Sequence, residues 1–178
     1  MLVSLLPART DRVLDLGCGD GRLLALVKAA RPEARGVALD SSPTMLGAAR
    51  SRFAGDESVE VLDHDLDQAL GDLGTFDAVV SSFAIHHLDD ARKRSLAGEV
   101  KGLLRRGGAF LNLEHVASPS ESLHHQFLAA LSIDPQDDDP SNRLAPVELQ
   151  LSWLRDLGYN DVDCLWKWRE MALLAAVA

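Results

Sequence analysis

At 178 residues, 47% hydrophobic and 25% charged, the chain has the size and make-up of one soluble globular domain able to bury a substantial core. A formal net charge of −9, from 27 acidic and 18 basic side chains, disfavours nucleic acid as a partner, because nonspecific binding to phosphate backbones depends on Lys and Arg releasing counterions. No apolar run approaches the ~20 residues needed to cross a bilayer, and MLVSLLPARTD lacks the basic start and longer apolar core of a signal peptide. No membrane partner is expected, and a cytoplasmic location follows by default.

In chain order, Leu2, Val3, Leu5 and Leu6 form an apolar turn or tail before Pro7. Strand 1 is predicted from about Arg12 to Leu16, and a helix from about Asp20 to Arg31, ending at Pro32. RGVALD is strand 2, closing on Asp40. Ser42 then caps a second helix with Pro43 at its first position, where a missing N–H costs nothing. VEVLD is strand 3, with Asp65 just beyond it, and FDAVVSSF is strand 4, a nearly continuous apolar run suited to a sheet covered on both faces.

Leu96, Val100, Leu103 and Leu104 make a helical stripe, after which RRGG turns the chain into strand 5, AFLNLEHV. Ser118-Pro119-Ser120-Glu121 reads as a capping box with proline at the first helical position, starting a helix that carries Leu123, Phe127, Ala130 and Leu131 inward. DPQDDDPSN, from Asp134 to Asn142, is the longest candidate loop. A last helix, PVELQLSWLRDLG, ends at Gly158, and YNDVDCL and MALLAAVA are strands joined through WKWRE. Alternating strands and helices from residue 12 to 116 argue for a parallel α/β sheet. The short final connection requires an antiparallel hairpin at one edge. One domain, residues 1–178, is expected. Its residues 117–145, a helix and the acidic loop, are a candidate substrate cover.

Cys18 and Cys164 show no metal spacing, and Cys18 lies inside a glycine loop that a disulfide would obstruct; both are read as reduced thiols. That loop, in VLDLGCGDGRL, places Gly17, Gly19 and Gly21 between a strand and a helix, so the backbone can approach a ligand and helix amides can face it. The rival readings are a loop without a ligand and a nicotinamide dinucleotide fold. In an open α/β sheet, ligands collect beyond the carboxyl ends of the strands. Asp40 at such an end suits the vicinal hydroxyls of a ribose, or more simply caps the next helix. Asp65, one strand further on, can accept an adenine amine while the amide of Leu66 donates to a ring nitrogen; in isolation it would be a turn residue.

VLDLGCGDG, GVALD, HDLD, FDAVVSSFAIHHL and LRRGGAFL, in that order, resemble the successive motifs of class I S-adenosylmethionine-dependent methyltransferases over residues 12 to about 116. The likeness is strongest to bacterial enzymes that methylate small molecules, and more distant to proteins that modify the wobble uridine of transfer RNA. It implies a Rossmann-like, mostly parallel seven-stranded sheet of order 3-2-1-4-5-7-6, the last strand antiparallel, with helices on both faces. It also implies S-adenosyl-L-methionine as cofactor and S-adenosyl-L-homocysteine as product. Asp15, with the Gly17, Cys18, Gly19 and Gly21 loop, would meet the methionine portion. Asp40 and Ser41 would lie at the ribose, and Met45, Asp65 and Leu66 at the adenine. Ser81 would offer a backbone group near the methionine amine, with Phe83 and His86 towards the methyl group.

The dinucleotide reading fares less well, because the sixth position of its GxGxxG is Arg22 and Asp15 would sit badly beside a pyrophosphate. The absence of NPPY or DPPY after strand 4 weakens base-methylating readings. His115, His86 and Glu114 are candidate general bases for an alcohol or phenol acceptor, and no metal spacing is seen. The resemblance carries one departure. Such enzymes usually place helices before strand 1, whereas about ten residues precede it here, so little or no N-terminal lid is expected. An open site, a covering partner chain such as a second copy in a homodimer, or a shortened chain would account for this. The leading function is a small-molecule methyltransferase. The alternatives are a cofactor-binding protein without efficient transfer and a transfer-RNA-modifying relative.

Overall fold

A computed structural model describes residues 1–178. Its strands are β1 (Arg12–Leu16), β2 (Arg35–Asp40), β3 (Val59–Asp63), β4 (Phe76–Ser82), β5 (Leu104–His115), β6 (Asn160–Trp168) and β7 (Met171–Val177). Five helices accompany them: α1 (Arg22–Ala30), α2 (Pro43–Arg52), α3 (Asp90–Leu103), α4 (Glu121–Ala130) and α5 (Val147–Asp156). The seven strands form one sheet ordered β3-β2-β1-β4-β5-β7-β6. The first five are parallel, and β7 runs antiparallel to both β5 and β6.

Side chains alternate across a strand, so β1 feeds two cores. Leu14 and Leu16 join Val37, Leu39, Leu96, Val100 and Leu154 on the face covered by α3 and α5. Val13 points the other way, with Leu24, Val27, Ala38, Ala49 and Val80, under α1 and α2. Leu2 and Leu6 of the N-terminal 3₁₀ turn pack on this second face, so the apolar start of the chain belongs to the core. Burying each such aliphatic side chain stabilises the fold by roughly 1.5–3 kcal/mol. The chain leaves β1 towards β2 and β3 on one side and returns to place β4 on the other. The carboxyl ends of β1 and β4 therefore flank the crevice where strand order reverses.

Several local expectations change. Of the residues expected inward along α4, Phe127 is buried but Leu123, Ala130 and Leu131 are exposed. Residues 166–168 extend β6 instead of forming the connection to β7. The connection from β3 to β4 contains no helix, so the strand–helix alternation is interrupted there; Leu66 and Leu70 of this loop fill the place a helix face would take. The RRGG segment lies inside β5: pairing with β4 jumps from Phe76↔Leu104 to Ala78↔Ala109, and the extra residues bulge out at Gly107, whose φ is +78°. Helix α1 starts at Arg22, because Gly19 and Gly21 still have positive φ in the loop. Helix α4 starts at Glu121, since Ser120 and not Ser118 caps it, its hydroxyl accepting the Leu123 N–H at 3.3 Å. Ser42 caps α2 as the sequence indicates, with Pro43 at the first position.

Candidate active site

The site is built where β1 gives way to α1. At Gly17, φ is +62°, and a Cβ would fall 2.2 Å from the Cβ of Ala84, so the loop packs against the segment after β4 only because no side chain intervenes. At Gly19, φ is +54° and a Cβ would meet nothing within 4 Å, because that side of the loop is open. Asp40 fixes the arrangement from the end of β2. Its Oδ2 accepts the Gly19 N–H at 2.8 Å and its Oδ1 the Ser42 N–H at 2.8 Å. One carboxylate thus ties the loop to the start of α2, and each oxygen keeps a lone pair for a further donor. Ser42, not Asp40, caps α2, so Asp40 holds the capping residue's own N–H and stays available to a ligand.

Asp15 is 1% exposed. Its Oδ2 accepts the Leu24 N–H at 3.2 Å, whereas Oδ1 is buried without a partner. Burial, with the charge of Asp40 adding to it, pushes this carboxyl up to about 8. An orphaned carboxylate oxygen beneath a glycine loop calls for a cation or hydrogen-bond donor. Burial, together with Asp15 and Asp40, also pushes the Cys18 thiol up to about 12, so it is a packed thiol and not a nucleophile. Asp20 is held by Arg52 at 2.8 Å and Arg22 at 2.9 Å, which fastens the loop to the end of α2.

Above the loop lies a cavity of about 710 Å³. Asp15, Gly17, Cys18, Gly19, Asp40, Ser41, Met45, Asp65, Leu66 and Phe83 line it. Asp65 is exposed, with one oxygen accepting the Asp67 N–H at 2.9 Å, and the backbone N–H of Leu66 donates to nothing within the protein. Two expected residues stand apart. Gly21 sits behind the loop against the Phe53 ring, and Ser81 points into the sheet, donating its hydroxyl to the Leu16 carbonyl at 2.8 Å. The period of β4 brings Ser82 to the cavity instead. His64, whose buried Nε2 has no partner, also lines it, as does His87. His64 is the first residue of HDLD, and its place next to Asp65 was the available signal.

The remaining candidates form two buried carboxylate–imidazole groups. His86 Nδ1 lies 2.7 Å from Glu114 Oε1, and Glu114, with no exposed surface, also accepts the His115 N–H at 2.8 Å. Neither His86 nor Glu114 lines the large cavity. The second group centres on Glu170, wholly buried in the β6–β7 turn. Its Oε2 lies 2.9 Å from His115 Nε2 and its Oε1 3.0 Å from His124 Nδ1, while His124 Nε2 reaches Asp138 at 3.3 Å. Glu170 and Asp138 hold the His124 imidazole above its usual range despite burial, which acts the other way. Glu170 is a lone acid in a tight turn, and nothing in the sequence marked it.

His115 lines a second cavity, of about 260 Å³, with Phe127 of α4 and the acidic segment. Phe83 lines both cavities, so the two adjoin there. Its backbone has φ +52°, a strained value for a bulky residue, held by an N–H bond to the Leu113 carbonyl at 2.9 Å. The segment after α4 is tied back to the end of β4: the Arg143 N–H donates to the His86 carbonyl at 3.0 Å, and Lys93 binds the Arg143 carbonyl.

A sheet of this order with a glycine loop and acidic strand ends at its switch point defines a Rossmann-like methyltransferase. A family model described as a methyltransferase domain matches residues 13–108, and the chain belongs to that family, the class I S-adenosylmethionine-dependent methyltransferases. An uncharacterised methyltransferase of Mycobacterium bovis is 36% identical over 108 residues, 61% of this chain and 52% of that protein. A demethylmenaquinone methyltransferase of Clavibacter sepedonicus is 34% identical over 113 residues, 64% of this chain and 44% of that one. Among solved structures, an O-methyltransferase family protein from Burkholderia thailandensis superposes with a TM-score of 0.79 at 26% identity, covering 99% of this chain and 54% of that one. The chain spans about half the length of these relatives.

Proposed function

We propose that this protein binds S-adenosylmethionine in the larger cavity and methylates a small molecule held in the smaller one. The observation that carries the reading is the orphaned Oδ1 of Asp15 beneath the glycine loop, placed where an amino-acid ammonium would complete it. Asp40 accepts the ribose hydroxyls with the lone pairs its loop bonds leave free. The free oxygen of Asp65 accepts an adenine amine, the unpaired N–H of Leu66 donates to a ring nitrogen, and Met45 packs on the ring. When bound, the cofactor supplies an electrophilic methyl group on a sulfonium.

The protein's own contribution is then proximity, exclusion of water and a place for a proton. His115 is the base favoured by geometry among the three candidates, because it lines the smaller cavity and His86 and Glu114 do not. Glu170 at Nε2 selects the tautomer that leaves Nδ1 free to take a proton, and stabilises the imidazolium once it has. His86 and Glu114, paired with each other, position the strand end beside it. Residues 117–145 form the outer wall and are the cover of this site. Thermal denaturation with increasing S-adenosylhomocysteine tests the reading. A rise in Tm that saturates is expected, followed by label transfer from methyl-labelled S-adenosylmethionine to members of a small-molecule panel. A folded sample with no shift at millimolar ligand would overturn it.

A further inference from the structure

The smaller cavity has a chemical character that narrows the acceptor. Three large apolar side chains that face it stay unusually open: Phe83 is 40%, Leu131 38% and Ile133 36% exposed. Buried Phe127 completes the apolar wall, its ring 5.3 Å from that of His115. Ordinary ligand pockets run from roughly 300 to 1,000 Å³, so a space of about 260 Å³ suits a compact molecule of one or two rings. Of the polar groups, His115 offers a nitrogen with no protein partner, while three aspartates, Asp137, Asp138 and Asp139, stand on the rim and no Lys or Arg lines the cavity.

The aspartates differ in how far they are already engaged. Asp138 is paired with His124, and one oxygen of Asp139 accepts both the N–H and the hydroxyl of Ser141. Asp137 is exposed, has no side-chain partner and lines the cavity. A carboxylate or phosphate entering here would lose water against an apolar wall, gain no cation, and face this negative rim. An uncharged ring loses little on the same transfer, and its hydroxyl can donate to His115.

We infer that the smaller cavity is an acceptor site for an uncharged, hydroxyl-bearing aromatic molecule, and that Asp137 at its rim excludes anionic ones. This rests on the methyltransferase reading of the larger cavity and adds to it a substrate class and a specificity residue. The hydroxyl meets His115 at the floor, and the ring lies between Phe83, Phe127 and Leu131. No polycarboxylate is accommodated.

The probes are 2-naphthol and 2-naphthoate, added to the folded full chain at saturating S-adenosylhomocysteine and followed by NMR of the histidine ring protons. Naphthol is expected to shift the His115 resonances saturably, and naphthoate to bind at least tenfold more weakly. Leu131→Glu, a substitution at an exposed position, should weaken naphthol binding at least tenfold while S-adenosylhomocysteine affinity stays unchanged. Asp137→Lys should raise naphthoate affinity several-fold and leave naphthol alone. Equal binding of the two probes, or naphthol binding untouched by Leu131→Glu, would overturn the inference while leaving the cofactor reading intact. A folded sample that fails to bind S-adenosylhomocysteine removes both.

Discussion

The two cavities of this protein are made in different ways. The larger one is a product of backbone: a strand end, three glycines with positive φ, and one aspartate that accepts an N–H from the loop and another from the start of α2. The smaller one is a product of side chains drawn from the end of β5, α4, the acidic segment and the start of β7, backed by the wholly buried Glu170, which joins His115 to His124. The family match covers residues 13–108 and so ends before any of Glu114, His115, His124, Asp138 or Glu170. A backbone cradle constrains sequence tightly at few positions and serves one shared cofactor. A side-chain pocket can be rebuilt for each acceptor without disturbing the sheet.

Breaking the comparison should therefore give unequal results on the two sides. The largest effect is expected at Asp40: Asp40→Ala removes an acceptor for the Gly19 and Ser42 amides as well as for ribose hydroxyls. Cofactor affinity should fall about 100-fold or more, roughly 3 kcal/mol, by calorimetry. Next is Asp15→Asn, which should weaken cofactor binding about 10- to 100-fold by removing a charged partner for the ammonium. The same change should stabilise the free protein.

The sign of that stability effect follows from linkage. The folded Asp15 carboxyl is held at about 8, above its ordinary 3.8, so between those values the folded state keeps a proton that the unfolded chain has released. Stability falls as pH rises through that window. Asp15→Asn should then raise Tm by roughly 3–10 °C at pH 8, corresponding to about 1–3 kcal/mol, and by less at pH 5. A gain that is equal at the two pH values would show that the orphaned carboxylate is not its source.

On the acceptor side the effects should be smaller and confined to turnover. Glu170→Gln should leave S-adenosylhomocysteine affinity unchanged and lower transfer to a hydroxyl acceptor about 10- to 100-fold, with the pH–rate profile displaced, since the imidazolium at His115 loses its counter-charge. His124 gives the smallest effect. Its imidazole titrates above its ordinary 6.5 between Glu170 and Asp138. The stabilisation it confers is complete below that value and lost as pH rises through the raised one. His124→Gln should therefore lower Tm at pH 6 and by less at pH 9, an effect of about 1 kcal/mol or less for a partly exposed group.

The contrast also explains how far the sequence could be read. The sheet order and the antiparallel hairpin were legible because motif order and connection length are local signals, and strand-end acids and glycine spacing singled out Asp15, Asp40 and Asp65, which the structure brings to one cavity with Phe83. Ser81 was read for its backbone; its side chain turns into the sheet, and the next residue, Ser82, is the one that lines the cavity. The start of α4 was displaced because two serines flank Pro119 and either can cap. The helix-free return to β4 and the bulge at Gly107 depend on packing between distant segments. Glu170 could not be found from the chain, as its meaning comes only from His115 and His124, each more than forty residues away.

Calorimetric titration of S-adenosylmethionine into the wild-type protein and into Asp40→Ala tests the central claim most directly. The account predicts saturable binding at one site in the wild type and its loss in the folded variant. No saturation at millimolar cofactor in a folded wild-type sample, or equal affinity in the two proteins, would contradict it.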